Sequence, residues 1–291
     1  MTLNRFQVWT LAARPKTLIA GISPALIGIA LSLSHGYFNM TLFLMTLLTG
    51  ISIQIGTNLT NDYFDFIKGA DTSERKGFLR VTQAGLVEPK TMKRAIVSTF
   101  FAALISGSYL IYHGGFPIAL ILAVYILLSV LYTAGPFPLG YLGLGSVLVL
   151  LFYGPGAVLI TYYLQTHSFS WEPLVAGLSP GGLAMAILVI NNIRDIEEDR
   201  KAGKKTLPVR LGKTAGKIEF ILAIFLSFVP LFFFYKTHPF CLLTLLTLFP
   251  ALFLVRAVIV NQDPRFLNPL FEKTAKLLWL FTLLFFIGWM L

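Results

Sequence analysis

The sequence predicts an all-α protein, a polytopic bundle of about nine transmembrane helices with two charged cytoplasmic loops. Of its 291 residues, 56% are hydrophobic and only 12% are charged, whereas soluble domains carry about 25% charged residues. The mean hydropathy is +0.77. Apolar runs recur at close to the ~20 residues that cross a bilayer, and none alternates apolar and polar residues as a membrane β-strand would.

Nine apolar segments are predicted to span the bilayer. They cover residues 17–34, 41–63, 92–112, 117–133, 142–164, 173–193, 217–235, 239–260 and 274–291. Residues 1–291 are expected to form a single transmembrane domain with two motif-bearing halves, about 1–140 and 141–291. An Asn four residues before an Asp occurs in each half, which suggests two halves that face one site.

The basic residues predict the orientation of the bundle. The net charge is +10, and with the N-terminus inside, every basic residue except Lys236 falls on the cytoplasmic side. This one-sided distribution follows the positive-inside rule for a multi-pass protein of the inner (plasma) membrane, and it places residues after Leu291 outside. The charges lie in loops and do not form the continuous basic surface of a nucleic-acid-binding protein, so no nucleic acid partner is expected.

The first chemistry-bearing stretch follows the second apolar segment. If the helix continues, Asn58, Asp62 and Asp65 lie on one face at i,i+4 and i,i+3 spacings. Carboxylates this close remain ionised together only with positive charge between them. Hard oxygen ligands beside apolar surface, followed by arginines and lysines, indicate Mg²⁺ and a phosphate group.

A second acidic stripe follows the sixth apolar segment, where Asn191, Asp195 and Asp199 recur at i,i+4 spacing. Two such stripes on one membrane face can hold two Mg²⁺ ions with a diphosphate bridging them. Nearby basic residues add charge-assisted contacts to diphosphate oxygens; these are Arg75, Arg80, Lys204 and Lys205. The alternative for either stripe is a helix end that meets water, with charges that only set topology.

Both acidic stretches resemble a known family. Asn61-Asp62-Tyr-Phe-Asp65 resembles the first aspartate-rich motif of the UbiA superfamily of membrane prenyltransferases, and Asp195-Ile-Glu-Glu-Asp199 is similar to the second. The MenA-type naphthoate branch of that superfamily fits more closely. Further blocks resemble it in order, namely Ala13-Arg14-Pro15-Lys16-Thr17-Leu18, Gly69-Ala-Asp71-Thr72, Tyr132-Thr-Ala-Gly-Pro136, Gly140 to Gly145 and Val209-Arg210-Leu211-Gly212.

The resemblance implies a UbiA-like fold and a Mg²⁺-dependent prenyl transfer. A polyprenyl diphosphate would donate its chain to 1,4-dihydroxy-2-naphthoate with loss of CO₂ and diphosphate, a step of menaquinone biosynthesis that leads to demethylmenaquinone. The chain's tail would lie in an apolar groove open to the lipid bilayer. The implied catalytic residues are Asp62, Asp65, Asp195, Asp199, Asp71 and Tyr132, of which the first four hold the metal. The implied diphosphate-binding residues are Asn58, Asn61, Arg75, Arg80, Asn191, Lys204 and Lys205.

Two alternative functions remain open at this point. The first is prenyl transfer to another aromatic acceptor such as 4-hydroxybenzoate or homogentisate. Tyr132 lacks the following lysine of the Tyr-x-x-x-Lys pattern typical of the hydroxybenzoate branch, which favours naphthoate, while Ser146 stands where the resemblance implies an acidic residue. The second alternative is an ion-coupled transporter, which broken helices at the membrane midplane would support. If a base deprotonates the ring, Asp71 and Tyr132 are its candidates.

Overall fold

The computed structural model describes residues 3–70, 77–261 and 263–291. Within these ranges the chain forms fourteen α-helices and no β-strand. The helices are α1 (Arg5–Ala13), α2 (Pro15–Ser34), α3 (Met40–Ile67), α4 (Pro89–Gly114), α5 (Phe116–Leu131), α6 (Gly145–Leu151), α7 (Ala157–Thr166), α8 (Glu172–Ala176), α9 (Leu178–Arg194), α10 (Ile196–Lys201), α11 (Leu207–Leu211), α12 (Lys213–Phe234), α13 (Leu248–Val260) and α14 (Leu267–Met290).

Seven helical segments of the described chain are long and apolar enough to cross a membrane. They are Pro15–Ser34, Met40–Ile67, Pro89–Gly114, Gly145–Thr166, Glu172–Arg194, Lys213–Phe234 and Pro239–Val260. The two other predicted spans coincide with α5, a shorter apolar helix of 16 residues, and with α14, which has 24. The predicted all-α, multi-pass bundle is therefore confirmed.

Local sequence explains where the key helices begin and end. The side chain of Asn39 accepts a hydrogen bond from the Leu42 N–H at 3.1 Å and so caps α3. From there α3 runs without interruption to Ile67, which places the whole first acidic motif on a helix. The second motif begins on α9 and continues into α10, because the Asp199 N–H still bonds the Asp195 carbonyl oxygen at 2.7 Å across the break.

A break in helical geometry separates α6 from α7. Residues Phe152–Gly156 form a π-helical segment in which Gly154 has non-helical angles, φ −120° and ψ −113°, directly before Pro155. A proline cannot donate the helical hydrogen bond, so the preceding turn is free to unwind. Within this segment the carbonyl oxygen of Phe152 accepts a hydrogen bond from the Tyr125 hydroxyl at 3.0 Å.

The helix α9 is the centre of the packing, with α2, α12 and α14 around it. Its residues Leu183 and Ile190 are fully buried together with Phe220 of α12 and Phe281 of α14. Small residues allow close approach between membrane helices. A Cβ atom at Gly182 would lie only 2.6 Å from the Ala223 carbonyl oxygen, so glycine sets the α9–α12 distance. This core fixes the end of α9, where the second motif lies.

Candidate active site

A polar cavity of about 400 Å³ lies at the C-terminal ends of α3 and α9. Both acidic motifs contribute to its wall, although they are far apart in the sequence. The predicted site residues in its lining are Asn61, Asp65, Arg80, Tyr132, Asn191, Asp195, Asp199 and Lys204. The fold therefore brings carboxylates from the two motifs to one cavity, together with cationic side chains.

In the first motif, Asp65 and Asp62 have different surroundings. The Asp65 carboxylate accepts a hydrogen bond from the Tyr141 hydroxyl at 2.9 Å and lies 3.3 Å from the Arg80 guanidinium. The Asp62 carboxylate instead accepts the backbone N–H groups of Val81 at 3.1 Å and Thr82 at 3.0 Å. Asp65 thus faces the cavity, while Asp62 holds the segment that carries Arg80. The metal role of Asp62 stays a prediction.

The two asparagines of the first motif also separate. Asn61 lines the polar cavity and accepts a hydrogen bond from the Thr133 hydroxyl at 2.9 Å. The Asn58 amide donates to the Ala13 carbonyl oxygen and to the Thr17 hydroxyl, both at 2.9 Å. Asn58 thereby joins α3 to the start of α2, beside a second, more apolar cavity.

In the second motif, the acids are paired with basic neighbours. Arg194 binds the Asp195 carboxylate through two nitrogens at 2.6 and 2.7 Å, and it also donates to Asn268 at 2.8 Å. This ion pair is almost completely buried. The Lys204 ammonium lies 3.1 Å from the Asp199 carboxylate. Each cavity-facing acid of this motif therefore has a cationic neighbour.

The loop of residues 132–144, here called the bridging loop, contacts both motifs. On one side, the Lys68 ammonium donates to the carbonyl oxygens of Thr133 at 2.7 Å and Gly135 at 3.2 Å. On the other side, the Lys205 N–H donates to the Tyr141 carbonyl oxygen at 2.7 Å. Gly143 has φ +83°, and a Cβ atom there would lie 2.3 Å from the Lys205 carbonyl oxygen, so only glycine fits. The bridging loop thus fixes the motifs relative to each other.

An apolar cavity of about 250 Å³ adjoins the polar one. Tyr132 and Asn191 line both cavities, and Gln54, Tyr125 and Tyr153 line the apolar one. The Tyr153 hydroxyl donates to the Gln54 amide oxygen. The apolar cavity shares Tyr125 with a further cavity of about 100 Å³, so an apolar path leads away from the acids into the bundle.

Burial and mutual repulsion act on the charged groups of the polar cavity. Burial raises the pKa of the Asp199 carboxyl above its ordinary value; the Lys204 ammonium opposes this shift, and the charges of Asp195 and Asp65 reinforce it. Burial lowers the pKa of the Lys68 ammonium, against the effect of Asp65 and with that of Lys204. Charges from the two motifs therefore influence each other, and added positive charge would favour the ionised carboxylates.

The side chains of the cavity fit a hard divalent cation that is bound partly by protein oxygens and partly by the phosphates of a substrate. Within the described residues, no group of three or more Asp, Glu, His or Cys residues is placed to hold a metal by itself. Mg²⁺ typically binds through one or two carboxylates plus substrate phosphates and water. The buried Oδ1 atom of Asn191 has no hydrogen-bond partner in the described chain, which leaves a neutral oxygen ligand available. The set thus fits Mg²⁺ together with a phosphate-bearing substrate.

Not every predicted residue reaches the cavity wall. Lys205 is exposed and contributes its backbone, while Asp71 and Arg75 lie outside the described residues. Tyr141 and Arg194 contact the motif acids, and Lys68 donates to the bridging loop beside them; none of the three was predicted as a site residue. Arg14 lines both cavities with a left-handed backbone, φ 53°. The signal for Arg194 was present in its position beside Asp195. Tyr141 belongs to a block that resembles the family, but no local pattern indicated its contact with Asp65, which is distant in sequence.

Sequence comparison places the chain among prenyltransferases. The profile of the UbiA prenyltransferase family matches residues 21–280. The 1,4-dihydroxy-2-naphthoate octaprenyltransferase of Escherichia coli is 37% identical over 295 residues, covering 98% of this chain and 96% of that protein. The protein of the same name from Haemophilus influenzae is 36% identical over 307 residues, covering 99% of this chain and 97% of that protein.

Solved structures share the fold of this chain. A UbiA homologue from Aeropyrum pernix superposes with a TM-score of 0.72 at 13% identity, covering 94% of this chain and 97% of that one. A UbiA homologue from Archaeoglobus fulgidus, solved with GPP and Mg²⁺, gives a TM-score of 0.66 at 14% identity, covering 98% and 100%. At such identities the likeness shows the fold alone. Because the family profile spans most of the chain and the named relatives align along nearly their whole lengths, the chain belongs to the UbiA prenyltransferase family.

Proposed function

We propose that this chain transfers a polyprenyl group from polyprenyl diphosphate to 1,4-dihydroxy-2-naphthoate, with loss of diphosphate and CO₂, in menaquinone biosynthesis. One observation carries the proposal: Asp65 of the first motif and Asp195 and Asp199 of the second line one cavity, which continues into an apolar one. This is the arrangement that a substrate with a diphosphate head and an isoprenoid tail requires. The relatives named for the same reaction support the choice of acceptor.

The diphosphate binds in the polar cavity. Asp65, Asp195 and Asp199 would hold Mg²⁺ there, and the Asn191 Oδ1 atom, which has no hydrogen-bond partner in the described chain, would serve as a neutral oxygen ligand. When bound, the metal supplies the positive charge that lets carboxylates hold a diphosphate and that stabilises it as a leaving group. Direct charge-assisted hydrogen bonds come from basic side chains around the cavity; of those predicted for this role, Arg80 and Lys204 line the cavity, and Arg75 lies outside the described residues.

The isoprenoid tail lies in the apolar cavity, with its first carbon beside Tyr132 and Asn191, where the two cavities meet. Departure of the diphosphate leaves carbocation character at that carbon. Water would capture it, so the surroundings must be dry. The apolar wall around Leu128, Leu148 and Phe152 excludes water, and the Tyr132 ring offers an aromatic face to the developing charge.

The acceptor ring forms its new bond at the carbon that bears the carboxylate. The C–O bond between the prenyl carbon and the diphosphate breaks, and a C–C bond forms. Loss of CO₂ returns its bonding electron pair to the ring and restores aromaticity. That ring carbon carries no hydrogen, so the step releases CO₂ in place of a proton. The aromatic face of Tyr132 therefore acts on the positive charge that develops on the prenyl carbon. A base, with Asp71 and Tyr132 as its candidates, is needed only if a hydroxyl group of the acceptor ring is deprotonated.

The same end of the bundle is the cytoplasmic one in this proposal. The chain is a multi-pass membrane protein of an established membrane family. Arg14, Arg80, Arg194 and Lys204 all line the polar cavity, and the positive-inside rule assigns such a basic end to the cytoplasm. The inner (plasma) membrane location places the site where a water-soluble acceptor and a lipid-soluble donor meet.

Product identification tests the proposal most simply. Membranes that contain the protein are incubated with a polyprenyl diphosphate, Mg²⁺ and 1,4-dihydroxy-2-naphthoate, and the product is analysed by mass spectrometry. The expected product is a prenylated naphthalenediol that lacks the carboxylate. Parallel incubations with 4-hydroxybenzoate and homogentisate provide the matched comparison. A prenylated product that keeps the carboxylate, or faster transfer to either alternative acceptor, contradicts the proposal.

A further inference from the structure

The ring of Tyr141 contacts charged groups from both acidic motifs. Its hydroxyl donates to Asp65 at 2.9 Å. The Lys68 ammonium lies over the ring at 4.8 Å from its centroid, and the Lys204 ammonium lies at 5.1 Å. Both distances fall within the range of a cation–π interaction, which is about 6 Å. One aromatic side chain of the bridging loop therefore holds two ammonium groups beside the acids.

Each partner of this ring has a second anchor, so the arrangement is fixed from several sides. Lys68 also donates to carbonyl oxygens of the bridging loop at 2.7 and 3.2 Å. Lys204 also pairs with Asp199 at 3.1 Å. The Tyr141 backbone itself is tied to the second motif through the Lys205 N–H. The ring cannot move far without breaking these contacts.

Holding two ammonium groups together requires a stabilising contact, because like charges repel. Without the ring, long lysine side chains would gain rotamer freedom and separate into water. With it, Lys204 stays in the wall of the polar cavity beside Asp199, and Lys68 is held against the same ring outside that wall. A polyanion such as diphosphate is the ligand that benefits from such a pair.

We propose that Tyr141 is a positioning residue, whose ring holds Lys68 and Lys204 as an ammonium pair that binds the diphosphate of the prenyl donor. This rests on the proposed function and adds Lys68 to the diphosphate-binding groups. The other explanation for Tyr141 is a structural one, in which its hydroxyl merely ties the bridging loop to α3 through Asp65. The two explanations differ in which part of the side chain matters.

Substitutions at Tyr141 separate the ring from the hydroxyl. Tyr141→Phe removes the hydroxyl and keeps the aromatic face, whereas Tyr141→Leu removes both. Two cation–π contacts at ordinary strength predict that Tyr141→Leu raises KM for polyprenyl diphosphate by about 5- to 30-fold. KM for dihydroxynaphthoate should change by less than about twofold, because in this proposal the two ammonium groups bind the diphosphate of the donor. Tyr141→Phe should keep KM for the donor within about twofold.

Binding of inorganic pyrophosphate with Mg²⁺ to the purified protein gives a readout that does not depend on the acceptor. Calorimetry should show weaker pyrophosphate binding for Tyr141→Leu by the same factor, and near-normal binding for Tyr141→Phe. Tyr112→Leu, at an 84% exposed tyrosine of α4, is the matched control and should change nothing. If the wild-type protein binds pyrophosphate but does not prenylate the naphthoate, the proposed function is refuted. The role of Tyr141 in positioning Lys68 and Lys204 is still supported in that case if Tyr141→Leu weakens pyrophosphate binding.

Several results would overturn the positioning role of Tyr141. Normal pyrophosphate binding by Tyr141→Leu refutes it, as does no measurable binding by the wild type. Equal losses in Tyr141→Phe and Tyr141→Leu assign the effect to the hydroxyl. If Tyr141→Leu does not fold, Lys68→Met carries the test against Lys90→Met, an exposed lysine at the start of α4. Lys68→Met should weaken pyrophosphate binding at least about fivefold, and unchanged binding refutes the proposal.

Discussion

The substitution Asp62→Asn separates two roles that one carboxylate can have. The sequence predicts Asp62 as a metal ligand, whereas in the structure its two oxygens accept the N–H groups of Val81 and Thr82. Asp62 is 1% exposed. An asparagine at this position keeps one acceptor oxygen but turns an NH₂ group toward the other backbone N–H. We therefore expect the segment that carries Arg80, Val81 and Thr82 to open more often.

The size of this effect follows from the number of bonds lost. A hydrogen bond to a charged group contributes about 1.5–3 kcal/mol, and at least one of the two is lost in Asp62→Asn. With 1.36 kcal/mol for each factor of ten, local opening becomes about 10- to 150-fold more frequent. Because this segment carries Arg80, which lies 3.3 Å from Asp65, the cavity also loses a fixed cation.

Hydrogen–deuterium exchange measures this opening directly. A peptide that covers residues 78–88 is followed in detergent without Mg²⁺ or diphosphate, so that ligand contacts contribute nothing. Asp199→Asn is the matched control, since it makes the same change at a buried carboxylate that contacts Lys204. Asp62→Asn should lose both turnover and amide protection, while Asp199→Asn should lose turnover and keep the protection of Val81 and Thr82.

Unchanged protection in Asp62→Asn would refute the role in holding the loop. If turnover were still abolished in that case, the predicted metal role would be the better explanation. If turnover and protection were both normal, neither role would stand.

The remaining predictions concern the metal, the buried ion pair and the topology. Chelation by EDTA should stop prenyl transfer and added Mg²⁺ should restore it, because the paired carboxylates repel diphosphate without a cation; metal-independent transfer is the contrary result. Arg194→Met should lower stability by about 3–5 kcal/mol, since it leaves Asp195 buried without its partner. The control is Arg200→Met, which breaks the exposed ion pair with Glu197 and should lower stability by at most about 1 kcal/mol, as measured by thermal unfolding. Equal losses of stability in the two variants would contradict the predicted effect of the buried ion pair. An epitope tag after Leu291 should be accessible only from outside the cell, and labelling from the cytoplasm would exclude an odd number of spans.

The helices and the acidic ends could be predicted because their signals are local. Long apolar runs identify the spans, and the i,i+4 spacing places Asn191, Asp195 and Asp199 on one stripe, which the hydrogen bond across the α9–α10 break preserves. That both stripes line one cavity was an inference from membrane sidedness; Asp65 of the first stripe and Asn191, Asp195 and Asp199 of the second line the polar cavity, whereas Asn58 and Asp62 do not. The division into two halves stays a prediction.

The contacts that tune the site could not be predicted, because they join residues far apart in the sequence. Tyr141 reaches Asp65 from a loop between two spans, and nothing in its own neighbourhood indicates that. From the sequence, Lys68 and Arg194 are only two of the basic residues counted on the cytoplasmic side, although both are bonded to groups around the cavity. The amide partners of Asp62 depend on the course of the chain after residue 77, which hydrophobic periodicity does not specify.

A structure determined with Mg²⁺ and a non-hydrolysable prenyl diphosphate analogue tests the central claim most directly, namely that both acidic motifs bind one metal-bound diphosphate. The predicted result is metal density in contact with Asp65 of the first motif and with Asp195 or Asp199 of the second, with the tail in the apolar cavity beside Tyr132. Diphosphate bound outside the polar cavity, or metal held by one motif alone, would contradict the account.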